Sequence, residues 1–134
     1  MANKTNYLGL AGEFRVMSEL LLRGHNPAKS YLEDGADLIL ENGKRIEIKS
    51  SHLRTVKDPR YNYRYVHYGF SFWGGHRSRI KKDFDFAICW CVEANVFYII
   101  PVKEIKGSTF GIKNVSPNAP NRYAPYRENW ELLK

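Results

Sequence analysis

Cysteine is scarce in this chain, and its two copies are poorly placed for most cysteine chemistry. Cys89 and Cys91 stand one residue apart in the string AICWCV. On a predicted strand they point to the same face, too far apart for an unstrained disulfide. A zinc site would need a longer gap between them and two further ligands. We therefore predict two reduced thiols in the core.

Long apolar runs and export signals are also missing. No stretch approaches the roughly 18 consecutive apolar residues of a transmembrane helix. The start, MANKTNYLGLAGEF, lacks a basic segment followed by an apolar run and a small-residue cleavage site. We expect a cytoplasmic protein without membrane association. A length of 134 residues with 43% apolar residues fits one domain, spanning residues 1–134, with its own core.

Acidic residues are nearly absent from one part of the chain. Between His52 and Lys82 there is one acid, Asp58, while the rest of the chain holds 13 basic and 13 acidic residues. The net charge of +7 therefore comes entirely from this segment, as expected for a surface that binds phosphates. Its basic residues are Arg54, Lys57, Arg60, Arg64, Arg77, Arg79, Lys81 and Lys82.

The first predicted element is a helix that begins near Thr5 or Asn6 and ends at Arg23, with Gly24 as its C-terminal glycine. Its apolar residues with helical spacing are Leu10, Phe14, Met17 and Leu21. Glu13 falls within that apolar stripe. A carboxylate in such a position must be paired, hydrated or bound to a cation.

A β-hairpin follows around Asn42-Gly43, after a short strand predicted at Ala28–Leu32. A two-residue turn would pair Asp37 with Ile48 and mix apolar and charged side chains on each face. A three-residue loop with a left-handed Gly43 would instead place Asp37 opposite Glu47. We favour the second register, because it separates apolar from charged side chains and sets Lys49 on the same face as the acids.

Downstream, the residues from Ser51 to Tyr63 read as a loop, and Tyr63–Trp73 as a strand that buries Phe70 and Phe72. Two core strands are predicted at Phe84–Val92 and Val96–Ile100. The remaining predicted elements are a short helix at Pro101–Lys106, a strand at Ile112–Val115 and a closing helix at Tyr126–Leu133 that docks Trp130.

The order of these features resembles the PD-(D/E)XK nuclease superfamily. The resemblance covers about Gly12 to Ile100, with Gly-Glu on the helix, Gly-Ala-Asp opening one strand and Glu-Ile-Lys-Ser on the next. It is strongest towards small Holliday-junction resolvase-like and homing-endonuclease-like members. The proline of the family's "PD" is replaced by Ala36. The resemblance implies an α/β (α+β) fold with a restriction-endonuclease-like core, in which an N-terminal helix precedes a mixed central sheet with flanking helices.

The resemblance also implies a catalytic set of Glu13, Asp37, Glu47 and Lys49. Asp37 and Glu47 would bind Mg²⁺ or Mn²⁺, with the Ile48 carbonyl and Glu13 as further ligands. Hard divalent cations prefer these oxygen donors. Lys49 would orient the attacking water or offset charge on the phosphorane. The implied activity is a Mg²⁺-dependent endodeoxyribonuclease that cuts DNA at branched or specific duplex sites, working as a homodimer.

We expect the basic segment and its neighbours to contact the nucleic acid, which is DNA by resemblance, with RNA not excluded. The candidate contacts are Ser51, Arg54, Lys57, Arg60, Tyr61, Arg64, Arg77, Arg79, Lys81 and Lys82. The four histidines show no helical pairing typical of a metal site. Two rival hypotheses remain, namely a nuclease fold that binds nucleic acid without cleaving it, and an interaction domain with a merely solvated basic surface.

Overall fold

A computed structural model describes residues 4–30, 36–72 and 83–134. Helix α1 spans Lys4–Leu22. It ends as predicted at Gly24, whose φ of +91° is a left-handed conformation that favours glycine. The backbone amides of Gly24 and His25 donate to the carbonyls of Leu21 and Leu20, which closes the last turn.

Five strands form a mixed sheet, which we call sheet A, in the order β1-β2-β3-β6-β7. Their bounds are β1 Ala28–Lys29, β2 Leu38–Ile39, β3 Arg45–Ser51, β6 Phe86–Cys91 and β7 Val96–Pro101. Strands β3 and β6 are parallel, and the other neighbours are antiparallel. The predicted core strands β6 and β7 are thus confirmed.

Three more strands form sheet B in the order β4-β5-β8, all antiparallel. They are β4 Leu53–Asp58, β5 Tyr63–Ser71 and β8 Thr109–Ile112. The prediction of a loop from Ser51 to Tyr63 was wrong, because β4 pairs with β5 over its full length. The strand predicted at Ile112–Val115 lies a few residues earlier, as β8.

Sheet A is covered on both faces, as the alternation of its strands requires. Ile46, Ile48 and Ile88 pack with Val16 and Leu20 of α1. The opposite face of β6 and β7 packs with Tyr68 and Phe70 of sheet B and with Phe72, which follows β5 directly. The predicted burial of Phe70 and Phe72 is therefore confirmed.

Most of the apolar stripe predicted on α1 is not the buried face. Leu10, Phe14 and Leu21 are exposed and Met17 packs partly buried against the core, whereas Val16 and Leu20 are fully buried. The helix thus has two apolar faces, and the one that packs contains Gly12, which brings the helix close to β3.

The described residues contain one α-helix, and the other helical segments are 3-10 helices at Val102–Glu104, Ala124–Tyr126 and Trp130–Leu133. The last of these docks Trp130, 5% exposed, against Phe97 with ring centroids 5.3 Å apart. None of the helices in the described part of the chain has the length and apolarity that crossing a bilayer would need.

The two cysteines are free and buried, as predicted. Burial raises the pKa of the Cys89 thiol well above its usual value, and burial raises that of Cys91 to about 12. Both thiols therefore stay protonated and serve as core side chains.

Candidate functional site

The position of Glu13 is set by the close contact between α1 and β3. A Cβ added to Gly12 would overlap the Ser50 hydroxyl and lie 3.2 Å from the Ser50 Cβ. Only glycine allows the helix to approach the strand this closely. Glu13, the next residue, is consequently held at the edge of the packed face, where its side chain is 26% exposed.

Glu13 meets a second carboxylate, that of Asp37. Burial and the Asp37 charge raise the pKa of Glu13, and the Lys29 ammonium offsets this only in part. Lys29 Nζ lies 3.7 Å from Glu13 Oε2 and reaches it from β1. Two adjacent carboxylates with one cation nearby form a site that would gain from a further positive charge.

Asp37 is held against β3 by the hairpin register. Leu38 pairs with Ile46, and Gly43 has a φ of +86°, so the predicted three-residue loop with a left-handed glycine is confirmed. One step further, this register sets Asp37 opposite Glu47. The Ile48 backbone amide donates to Asp37 Oδ2 at 2.7 Å, so the carboxylate is fixed beside the β3 backbone.

Glu47 and Lys49 project from β3 on the face opposite Ile46 and Ile48. Glu47 is only 3% exposed, which is costly for a carboxylate. Both side chains act electrostatically on the Cys89 thiol of the neighbouring strand. Lys49 Nζ lies 5.5 Å from the Phe72 ring centroid, on the side towards sheet B.

The three acids come from two layers, Glu13 from α1 and Asp37 and Glu47 from the β2–β3 hairpin, and we call these three residues the acidic edge of sheet A. Within residues 4–30, 36–72 and 83–134, no three side chains of the His, Cys, Asp or Glu types are grouped so as to hold a metal ion. The adjacent pair Glu13 and Asp37 still fits Mg²⁺, since this ion keeps several waters and takes one or two protein carboxylates together with substrate phosphates. The donor set, all oxygen, is the one that hard cations prefer.

Ser51 joins the two sheets and is fully buried. Its hydroxyl donates to the His52 carbonyl at 2.8 Å and accepts the Gly69 amide at 3.0 Å. The expectation that Ser51 contacts nucleic acid is therefore wrong, because the Ser51 side chain is not exposed to solvent. Glu93 stabilises the same connection between the two sheets. Its carboxylate accepts a hydrogen bond from the Leu53 amide at 2.8 Å and pairs with the His52 ring.

The predicted basic contacts on the β4–β5 hairpin are exposed, but the strands divide them between two faces. Arg54 pairs with His67, and Lys57 pairs with Arg64 on the opposite face. Arg60 lies in the turn, 3.4 Å from Asp58 and 5.2 Å from the centroid of the Tyr61 ring. The hairpin end thus carries positive charge on both faces.

Four further predicted contacts cannot be placed on this surface. Arg77, Arg79, Lys81 and Lys82 lie outside the described residues and remain predictions.

Some residues near the site were missed by the sequence analysis. Lys29 gave no signal, because its approach to Glu13 depends on the pairing of β1 with β2. His67 and Lys113 were missed as well, since they come together only when β5 and β8 pair.

No protein-family model matches the chain, and no curated protein matches it either. Its structure is similar to that of a bacterial homing endonuclease, I-Ssp6803I, with a TM-score of 0.72. The two sequences are 21% identical, over 98% of this chain and 93% of the other. At this identity the likeness shows the fold, so the chain has the mixed α/β fold of that nuclease.

Proposed function

We propose that the protein is a metal-dependent endodeoxyribonuclease that hydrolyses phosphodiester bonds in DNA. The observation that supports this most strongly is the position of Asp37, which meets Glu13 from the helix and the Ile48 amide from β3. The buried Glu47 stands one residue before Ile48 on that strand. The fold shared with a homing endonuclease and the sequence motif agree with this chemistry.

The residues proposed to hold Mg²⁺ or Mn²⁺ are Asp37 and Glu47, with the Ile48 carbonyl and Glu13 as further donors. The ion would supply Lewis-acid polarisation of the phosphate and a more acidic water. The chain's own part is to fix the donors, which the Ile48 amide does for Asp37 and the α1–β3 packing does for Glu13.

Lys49 is proposed to act on the reacting phosphate. Its ammonium extends from the same strand face as Glu47 towards the cleft between the sheets. In that position it would orient the attacking water and offset the negative charge that grows on the phosphorane. A lysine serves as a compact charge with rotatable donors, which suits both tasks.

A second copy of the chain is proposed to complete the enzyme, because cutting both strands of a duplex normally needs two active sites. The exposed strip of α1 offers a surface for it, since Leu10 is 46%, Phe14 64% and Leu21 57% exposed. Light scattering should report a dimer mass for the wild type and a smaller mass for Phe14→Ser. A monomer at high concentration would contradict this part of the proposal.

The test of the function is a cleavage assay with Mg²⁺ and with Mn²⁺ on linear, nicked and four-way-junction DNA, with RNA duplex for comparison. Wild type should cleave at least one DNA and Glu47→Ala none. If both proteins are equally inert on all substrates yet bind them tightly, the alternative of a non-cleaving nucleic-acid-binding module is correct. That alternative is favoured because, among the described residues, no three acidic, histidine or cysteine side chains are grouped so as to hold a metal ion.

A further inference from the structure

A cationic cleft of about 550 Å³ lies between β3 and the outer face of sheet B. Four basic side chains line it, each from a different segment, namely Lys49, Arg54, His67 and Lys113. The described lining contains no Asp or Glu. A concave surface that gathers cations without a counter-charge favours an anionic ligand.

The strand register places three of these basic side chains in one row. Arg54 lies directly opposite His67 across β4 and β5. The pairing of Tyr68 with Ile112, continued by one residue, puts Lys113 on the other side of His67. Arg54 and Lys113 thus flank the His67 ring on both sides, so protonation of the ring would add a third like charge to the row, and an anion lying over the row would offset that cost.

Two glycines lie beneath the His67 ring. Gly69 and Gly111 are paired across β5 and β8, and the His67 ring lies over both of them. A Cβ on Gly111 would collide with the ring, with His67 Cε1 only 2.9 Å away. The ring is further held edge-on by Tyr65, 5.5 Å away between centroids, and Lys113 Nζ lies 4.3 Å from the Tyr65 ring centroid.

We propose that this cleft is a phosphate subsite, in which Arg54, Lys113 and a protonated His67 together hold one backbone phosphate of the nucleic acid. Lys49 is shared between this subsite and the acidic edge of sheet A, so the bound phosphate lies next to the reacting one. The inference rests on the proposed function for the identity of its ligand. Beyond the proposed function, His67 would take up a proton when the nucleic acid binds.

The expected pH dependence follows from the surroundings of His67. Burial, Arg54 and Lys113 lower the pKa of His67 in the free protein. The charged groups that act on the ring are Arg54 from β4 and Lys113 after β8, and Lys49 from β3 lines the same cleft; all three are cations. A phosphate in the cleft favours the protonated ring and raises its pKa, so binding takes up a proton and tightens as pH falls.

The experiment measures duplex DNA affinity in EDTA, where no cleavage occurs, between pH 5.5 and 8 at fixed salt. Wild type should bind more tightly at lower pH, by up to about tenfold per pH unit within the interval between the free and bound pKa values. His67→Gln should remove this pH dependence. Arg54→Gln should reduce it, because the Arg54 charge is one of the causes that lower the pKa of His67 in the free protein. Lys113→Gln should lower the slope of log affinity against log salt by about one.

Two matched variants serve as controls. His25→Gln removes a histidine that pairs with Glu41 at the end of α1, and it should keep the wild-type pH dependence. Arg64→Gln removes an arginine from the other face of sheet B, and it should weaken binding without changing the pH dependence. An unchanged pH dependence in His67→Gln would overturn the proposal.

A second readout does not depend on any variant folding. The His67 ring is followed by NMR in the wild type, with inorganic phosphate and then with duplex DNA, and its pKa should rise on addition of each. If the pKa stays the same in the DNA complex, the subsite is excluded even where cleavage is found. If His67 titrates as expected but no substrate is cut, the subsite stands and the nuclease proposal fails.

Discussion

The acidic edge of sheet A and the cationic cleft of sheet B are built by opposite means. At the edge, Glu13 of α1 lies beside Asp37, and Glu47 is buried on β3, so burial penalises the charge of Glu13 and of Glu47. In the cleft, the cations Lys49, Arg54 and Lys113 surround open space together with His67, and no Asp or Glu lies among the described lining residues. Under the proposed function, a metal ion would compensate the first region and a phosphate the second, and a nucleic acid bound together with a metal would supply both.

The largest expected effect concerns the carboxylates bound to the backbone of β3. Asp37→Asn should lower the Mg²⁺-dependent cleavage rate by about 100-fold or more, because it removes a charged oxygen donor from the proposed metal site. Asp85 is a matched control, since its carboxylate accepts the Arg45 amide of the same strand at 2.8 Å. Asp85→Asn should leave cleavage unchanged. Equal losses in the two variants would mean that Asp37 only supports the strand.

The contact that positions Glu13 can be broken at Gly12. Gly12→Ala should lower the free energy of unfolding by about 1–3 kcal/mol, because the new methyl group meets Ser50. Gly9→Ala on the same helix has open space around its Cβ and should raise stability by about 0.5–1 kcal/mol. Urea denaturation of both variants and of wild type measures these changes in the free energy of unfolding. A stable Gly12→Ala would show that the α1–β3 contact is looser than described.

Ser51 of β3 connects sheet A to β5 of sheet B through its hydroxyl group. Ser51→Ala should cost about 1 kcal/mol or more in unfolding free energy, since the Gly69 amide and the His52 carbonyl lose their shared partner. Ser71→Ala, at an exposed position of β5, should cost little. Thermal denaturation of the two variants compares them, and equal stability would refute the role of Ser51 as a joint.

The smallest effect concerns the charge of Glu13. Because its pKa is raised in the folded protein, its ionisation destabilises the fold at neutral pH. Glu13→Gln should therefore be more stable than wild type in EDTA at pH 7, and this gain should vanish as the pH falls through the folded pKa of Glu13 towards the pKa of a glutamate in the unfolded chain. Added Mg²⁺ should stabilise wild type more than the variant. A variant that is less stable at pH 7 would show that the Lys29 pair dominates.

The sequence predicted the acidic edge better than the cationic cleft, for a physical reason. The acids depend on local pairing, where Gly43 and the alternation of Ile46 and Ile48 determine the register. The cleft depends on Gly69 meeting Gly111, and paired glycines far apart in the chain leave no local periodicity. The buried face of α1 was missed for a similar reason, since Gly12 carries no apolar signal although its missing side chain determines the packing. The β4 strand was missed because most of its residues are polar and exposed.

The most direct measurement of the central claim compares wild type with Glu47→Gln in two assays on the same duplex. One is single-turnover cleavage in Mg²⁺, and the other is DNA affinity in EDTA. We predict that Glu47→Gln loses cleavage by about 100-fold or more while its affinity is equal or tighter, because we propose that the acidic edge acts in the chemistry and the cleft in binding. Equal cleavage by the two proteins, or a parallel loss of affinity and cleavage in the variant, would contradict the division between the two regions.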